Sequence, residues 1–123
     1  MKKNKPLGFF SRLAPATKNS WAGFKAAYKH EMAFRQEVLL FITTTPLAIW
    51  LANGFIEFVL LMSGIVIIFI AELLNSAIET VVDRIGVERH ELSGRAKDLG
   101  SAAVFVALCY FALVWLYKIY TLL

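Results

Sequence analysis

Glu72, Asn75, Ser76, Glu79 and Asp83 form the pattern E-x-x-N-S-x-x-E-x-x-x-D. At about 100° per residue of α-helix, these side chains fall within an arc of roughly 100°, a single helix face. Carboxylates beside an amide are hard oxygen donors that can hold a divalent cation, and a carboxylate withdrawn from water can take a proton from a hydroxyl. Glu72 follows fourteen residues, Phe58–Ala71, that contain no Asp, Glu, Lys or Arg. A carboxylate at membrane depth is costly and is seldom kept for packing alone. Two further polar groups belong at the same depth. Glu31, Arg35, Gln36 and Glu37 precede the first long apolar run, and Lys97 and Asp98 precede the last, sharing a helix face with Gly94 and Ser101 at i, i+3, i+4 and i+7. Basic groups among carboxylates suit phosphate, so the chemistry indicated is phosphoryl transfer assisted by a metal such as Mg²⁺. The competing reading is structural: Glu79 and Asp83 pair with Arg84, Arg89 or Lys97 at a solvated helix end. His30 and His90 stand alone and read as loop residues.

The elements that must position these groups are helices in a membrane. Of 123 residues, 59% are apolar and 18% charged, where a soluble domain is nearer half apolar and a quarter charged. Val38–Ile56 and Leu99–Tyr117 are uncharged over 19 residues each, enough to cross a hydrocarbon core of about 30 Å. Phe58–Ala71 is shorter but continues helically through Leu73, Leu74, Ala77, Ile78, Val81 and Val82. The expected fold is therefore all-α and integral to the membrane, a single domain over 1–123 with spans at about 37–52, 56–84 and 97–119. Before them, Trp21, Phe24 and Tyr28 recur at i, i+3 and i+7 among Lys18, Lys25 and Lys29. This predicts an amphipathic surface helix at about 11–30, aromatic face toward lipid and lysines near headgroups. Residues 1–10 are basic and expected to lack fixed structure. Pro46 predicts a kink in the first span, with Thr43, Thr44 and Thr45 bonding the carbonyls it frees. Asn53-Gly54 predicts a tight turn, Gly86 a helix stop, and Ser93 the cap of the last helix.

Eight of the thirteen Lys and Arg precede the first span, four lie between the second and third, and only Lys118 follows. By the positive-inside rule the N-terminus is cytoplasmic and the C-terminus outward. Eight of the nine acidic residues, all but Glu57, then lie on the side that holds ATP. The first apolar run begins only after 37 residues of mixed sequence, which is not the pattern of a cleaved signal peptide. The single cysteine, Cys109, has no internal partner and reads as a small hydrophobe. There is no G-x-x-x-x-G-K-[ST] loop, no protein-kinase signature and no zinc spacing, so a nucleotide would be held by carboxylate-bound metal and scattered basic groups.

Three blocks carry a resemblance: Glu31-Met-Ala-Phe-Arg-Gln-Glu37, Glu72-Leu-Leu-Asn-Ser-Ala-Ile-Glu-Thr-Val-Val-Asp-Arg-Ile-Gly86, and His90-Glu-Leu-Ser-Gly-Arg-Ala-Lys-Asp-Leu-Gly-Ser-Ala-Ala-Val104. In them the chain resembles the prokaryotic integral-membrane diacylglycerol kinase family. The resemblance implies transfer of the ATP γ-phosphoryl to the primary hydroxyl of 1,2-diacylglycerol, making phosphatidic acid. It also implies a homotrimer in the bacterial inner membrane with sites shared between protomers. It makes Glu72 the general base and Glu31 and Glu79 the residues that bind the metal, Mg²⁺, bridging the ATP phosphates. Arg12, Glu88, Arg89, His90, Lys97 and Asp98 join Glu31 and Glu79 in the ATP site, and Asn75 and Asp83 support it. Trp21, Ala33, Phe34, Arg35, Gln36, Glu37, Trp50, Leu51, Ser101 and Trp115, with Glu72, match positions that line the lipid's path. Asn19 departs from the pattern, standing where an aromatic residue is expected, and Arg89 replaces what is often an uncharged side chain.

The alternatives differ in class. A kinase for another lipid alcohol, such as undecaprenol, would keep the phosphoryl-transfer residues. A small transporter coupled through the acidic stripe would need polar groups in the outward half, where only Thr43–Thr45 and Ser63 offer any. A purely structural membrane protein leaves Glu72, Glu79, Lys97 and Asp98 together without a reason.

Overall fold

The computed structural model describes residues 8–123, all of its regular structure helical. Four helices follow in order: α1 (Phe9–His30), α2 (Met32–Leu51), α3 (Phe55–Ile85) and α4 (Glu91–Leu122). Lys2, Lys3 and Lys5 lie outside the described residues. Helix α1 begins two residues before Ser11, because Phe9 and Phe10 already belong to its first turn.

One residue, Glu31, separates α1 from α2. Its backbone is extended (φ −114°, ψ 110°), and its N–H still closes on the Ala27 carbonyl at 2.9 Å. Arg35, one turn into α2, donates from Nη1 to the carbonyls of Tyr28 (2.8 Å) and Lys29 (3.2 Å). Those carbonyls belong to the last turn of α1, which has no helical donors of its own to satisfy them. The joint is thereby fastened from both sides.

The α2–α3 connection turns on Gly54, whose φ of +95° is open to glycine and strained for other residues. Helix α2 runs through Pro46 without a break. The threonine hydroxyls bond the carbonyls of Leu39, Leu40 and Phe41. None of these is the Ile42 carbonyl that Pro46 leaves without its helical donor, so the expectation that threonines repair the proline's gap is not met. Helix α3 stops at Gly86 as expected. Helix α4 starts earlier than Ser93: His90 is the N-cap, its Nδ1 accepting from the Leu92 N–H at 3.1 Å.

Helices α4 and α2 both pack along α3, and α1 packs against α2. Ala48, Leu61 and Trp115 form one core cluster, and Ile65, Ile68 and Ala107 a second. The Trp115 indole N–H donates to the Leu61 carbonyl at 3.1 Å, tying α4 to α3. Helices α3 and α4 are long and apolar enough to cross a membrane, yet only 28% and 17% of their apolar segments are buried inside the chain. Such exposure suits lipid as the solvent and would be costly in water. Helix α2 falls short of the same mark because Arg35, Gln36 and Glu37 stand in its first two turns. At the end of the bundle away from Glu72, Lys118 is only 6% exposed and forms an ion pair with Glu57.

Candidate active site

The acidic stripe of α3 is buried at its Glu72 end and exposed at its Asp83 end. Glu72 is 5% exposed and Ser76 is buried, whereas Asp83 is exposed. Glu72, Asn75 and Glu79 line an open recess of about 360 Å³ together with Glu31 from the α1–α2 joint, Ala33 from α2 and Ser101 from α4. Val104, Phe105 and Leu108 form its apolar side. Residues from three parts of the chain thus meet here, but of the group at the start of α4 only Ser101 does so; Lys97 and Asp98 lie outside the recess. Glu31 reaches the recess because the chain turns at that residue, and its side chain makes no capping bond.

Glu37 completes the surroundings of Glu72. It is 8% exposed, within hydrogen-bond reach of the Glu72 carboxyl, and its Oε2 has no other partner. The Asn75 amide donates from Nδ2 to Glu79 Oε1 at 3.4 Å, and its buried Oδ1 is unpartnered. Among the described residues no three His, Cys, Asp or Glu side chains form a cage that would hold a metal alone. Mg²⁺ needs none: it takes one or two carboxylates and completes its shell with phosphate oxygens and water. Glu31 and Glu79, on one recess beside an unpaired amide oxygen, fit that kind of cation.

A second cleft, of about 560 Å³, opens where α3 gives way to α4. It is lined by Asp83, Glu88, Arg89, His90 and Lys97, which gathers half of the residues expected at the nucleotide. Lys97 Nζ sits 2.8 Å from Asp83 Oδ1, the two side chains 44% and 61% exposed. The structural reading of Asp83 therefore holds in this structure. A half-exposed pair of this kind is weak and readily exchanged for phosphate.

Other expected residues stand elsewhere. Arg12 and Asp98 are exposed and line neither cleft. Arg35 ties down α1, and Phe34 is buried against Phe69 (5.7 Å between ring centroids). Gln36 is exposed. Leu51 and Trp115 belong to the core cluster at the far end, so within the chain Trp115 packs instead of lining a lipid path. Trp50 is exposed at that end, and Trp21 on α1, with Lys25 Nζ over its ring at 5.6 Å. Sequence reasoning missed the Glu57–Lys118 pair. Its signal was present: each is a lone charge beside an uncharged stretch, and antiparallel helices bring the start of α3 to the end of α4.

The model for prokaryotic diacylglycerol kinase matches residues 18–119. The chain belongs to the prokaryotic diacylglycerol kinase family. Members similar to it include the diacylglycerol kinase of Haemophilus influenzae, 53% identical over 105 residues (85% of this chain and 89% of that one). The diacylglycerol kinase of Escherichia coli K12 is 50% identical over 106 residues (86% and 87%). That of Pseudomonas aeruginosa is 49% identical over 104 residues (85% of each chain). Family membership and the two long apolar helices make this a membrane protein. The matched span contains both clefts and every acidic residue of the recess.

Proposed function

We propose that this protein transfers the γ-phosphoryl group of ATP to the primary hydroxyl of diacylglycerol, producing phosphatidic acid at the cytoplasmic face of the bacterial inner membrane. The observation that carries the reading is the recess itself: a carboxylate buried to 5% exposure, Glu72, open on one side to Glu31 and Glu79, in a chain whose relatives are named diacylglycerol kinases. Glu72 accepts the hydroxyl proton as the lipid oxygen bonds to the γ-phosphorus and the bond to ADP breaks. Glu31 and Glu79 would hold Mg²⁺, which supplies charge neutralisation at the phosphates. Lys97 leaves Asp83 for a phosphate oxygen, and Arg89 and His90 border the same cleft. Phosphoryl transfer of this kind needs position and neutralised charge more than covalent help.

In the membrane, α2 is the third span beside α3 and α4, and α1 lies on the cytoplasmic surface. The exposed Trp21, Phe24 and Tyr28 support that placement: the chain itself does not cover them. The N-terminus is then cytoplasmic and the C-terminus outward. Three protomers assemble with shared sites, which supplies cover for a recess that one chain leaves open and brings Arg12 and Asp98 into use.

Phosphate transfer from labelled ATP in mixed micelles with Mg²⁺, offering diacylglycerol and undecaprenol side by side, tests the reading. Labelling should go preferentially to diacylglycerol. Preferential labelling of undecaprenol would overturn the substrate, and no labelling of either by folded protein would overturn the function.

A further inference from the structure

Beside the recess, Gly100 of α4 is buried against Asn75 of α3. A Cβ added to Gly100 would overlap Asn75 Oδ1 and lie 3.2 Å from Asn75 Cγ and 3.6 Å from Asn75 Cα. The Asn75 amide therefore occupies the space that any other residue at position 100 would fill. Its other edge donates to Glu79 Oε1 at 3.4 Å. That hydrogen bond is long, and the opposite Oδ1 is buried with no partner. Nothing polar fixes the amide on the α4 side; it is held there by contact with a bare backbone.

From this juxtaposition we infer that Gly100 is a positioning residue: lacking a side chain, it seats the Asn75 amide so that Nδ2 keeps the Glu79 carboxylate turned into the recess. The inference rests on the reading of Glu79 as a metal-binding carboxylate. Outer partners that orient a metal's carboxylates contribute strongly to affinity although they never touch the ion.

Gly64 makes the contrast that gives the idea content. A Cβ there would meet Phe111 Cα at 2.8 Å and Phe111 Cβ at 2.9 Å. That obstacle includes backbone, so alanine at 64 must push α3 and α4 apart. At Gly100 the nearest obstacle is the end of a side chain, which can rotate away. Alanine at 100 thus displaces Asn75 before it disturbs the helix pair.

The test measures Mn²⁺ binding, with a non-hydrolysable ATP analogue, to the full chain in detergent by electron paramagnetic resonance. Gly100→Ala should weaken Mn²⁺ binding about tenfold or more, as should Asn75→Ala. The double variant should be no weaker than Asn75→Ala alone, because the seat has no use once the amide is gone. Gly64→Ala should lower the unfolding midpoint and leave Mn²⁺ binding unchanged. Wild-type Mn²⁺ binding by Gly100→Ala, or losses that add in the double variant, would overturn the inference while Glu79→Gln still binds weakly. Wild-type binding by Glu79→Gln would overturn the metal assignment and this inference with it.

Discussion

Replacing Glu72 by glutamine separates proton acceptance from everything else this side chain does. The two residues are nearly isosteric, and at 5% exposure no cavity opens where Glu72 stood. The contact with Glu37 changes in kind. A carboxylate brings no donor to Glu37, whereas a glutamine amide does. Folding stability should therefore hold or rise. The reaction should suffer, because an amide cannot take the lipid hydroxyl's proton. General bases contribute about 10²–10⁴-fold to rate, which is about 2.7–5.4 kcal/mol of barrier. We expect kcat to fall by that factor with the KM for ATP little changed, since glutamine keeps the size of the side chain and leaves the cleft at Glu88–His90 and Lys97 untouched. The assay is labelled-phosphate transfer to diacylglycerol in mixed micelles, paired with unfolding of the same preparation in a denaturing detergent. A Glu72→Gln enzyme within about tenfold of wild-type kcat, and equally stable, would refute the base assignment. Lost activity that tracked lost folding would refute the claim that the substitution is structurally silent.

Two further perturbations address the scaffold. Glu57→Gln strands the buried Lys118 ammonium and should lower the thermal midpoint in detergent, and adding Lys118→Met should recover much of the loss, because a lone buried charge costs more than an absent pair; equal midpoints in the single and double variants would count against the pair. Arg35→Ala frees the last carbonyls of α1 and should speed proteolysis near His30–Glu31 relative to wild type, while Arg35→Lys, with one donor group in place of a fork, should fall between them.

Much of the fold was legible because helices are written in local periodicity. Uncharged runs located α3 and α4 without giving their full lengths, because both helices continue through charged turns; Asn53-Gly54 and Gly86 marked the breaks, and the stripe of α3 put Glu72, Asn75 and Glu79 on one face. Relations between helices were less so. That Glu37 meets Glu72, or that Lys118 meets Glu57, depends on the register of packed helices, which no local pattern encodes. The last helix began at His90 instead of Ser93 because an imidazole nitrogen can accept the same bond as a hydroxyl, and the sequence offers both within four residues. The threonines near Pro46 were expected to serve the proline's orphan carbonyl. A threonine hydroxyl reaches back three or four residues to a carbonyl of the preceding turn; Thr45 could reach Ile42 three back, but it bonds Phe41 four back. Asp83 shows the limit of reading roles from a stripe: it shares the face of Glu72 yet pairs with Lys97.

The single-residue joint at Glu31 has a mechanical meaning. Between α1 and α2 there is no loop to absorb displacement, and the Arg35 clamp removes what play one extended residue would allow. Any force that lifts, tilts or slides α1 must arrive at the carboxylate that faces the recess. With α1 on the membrane surface as proposed, a change of surface pressure or curvature under Trp21, Phe24 and Tyr28 would be felt at Glu31. On that reading the first helix is a lever whose fulcrum is this one residue.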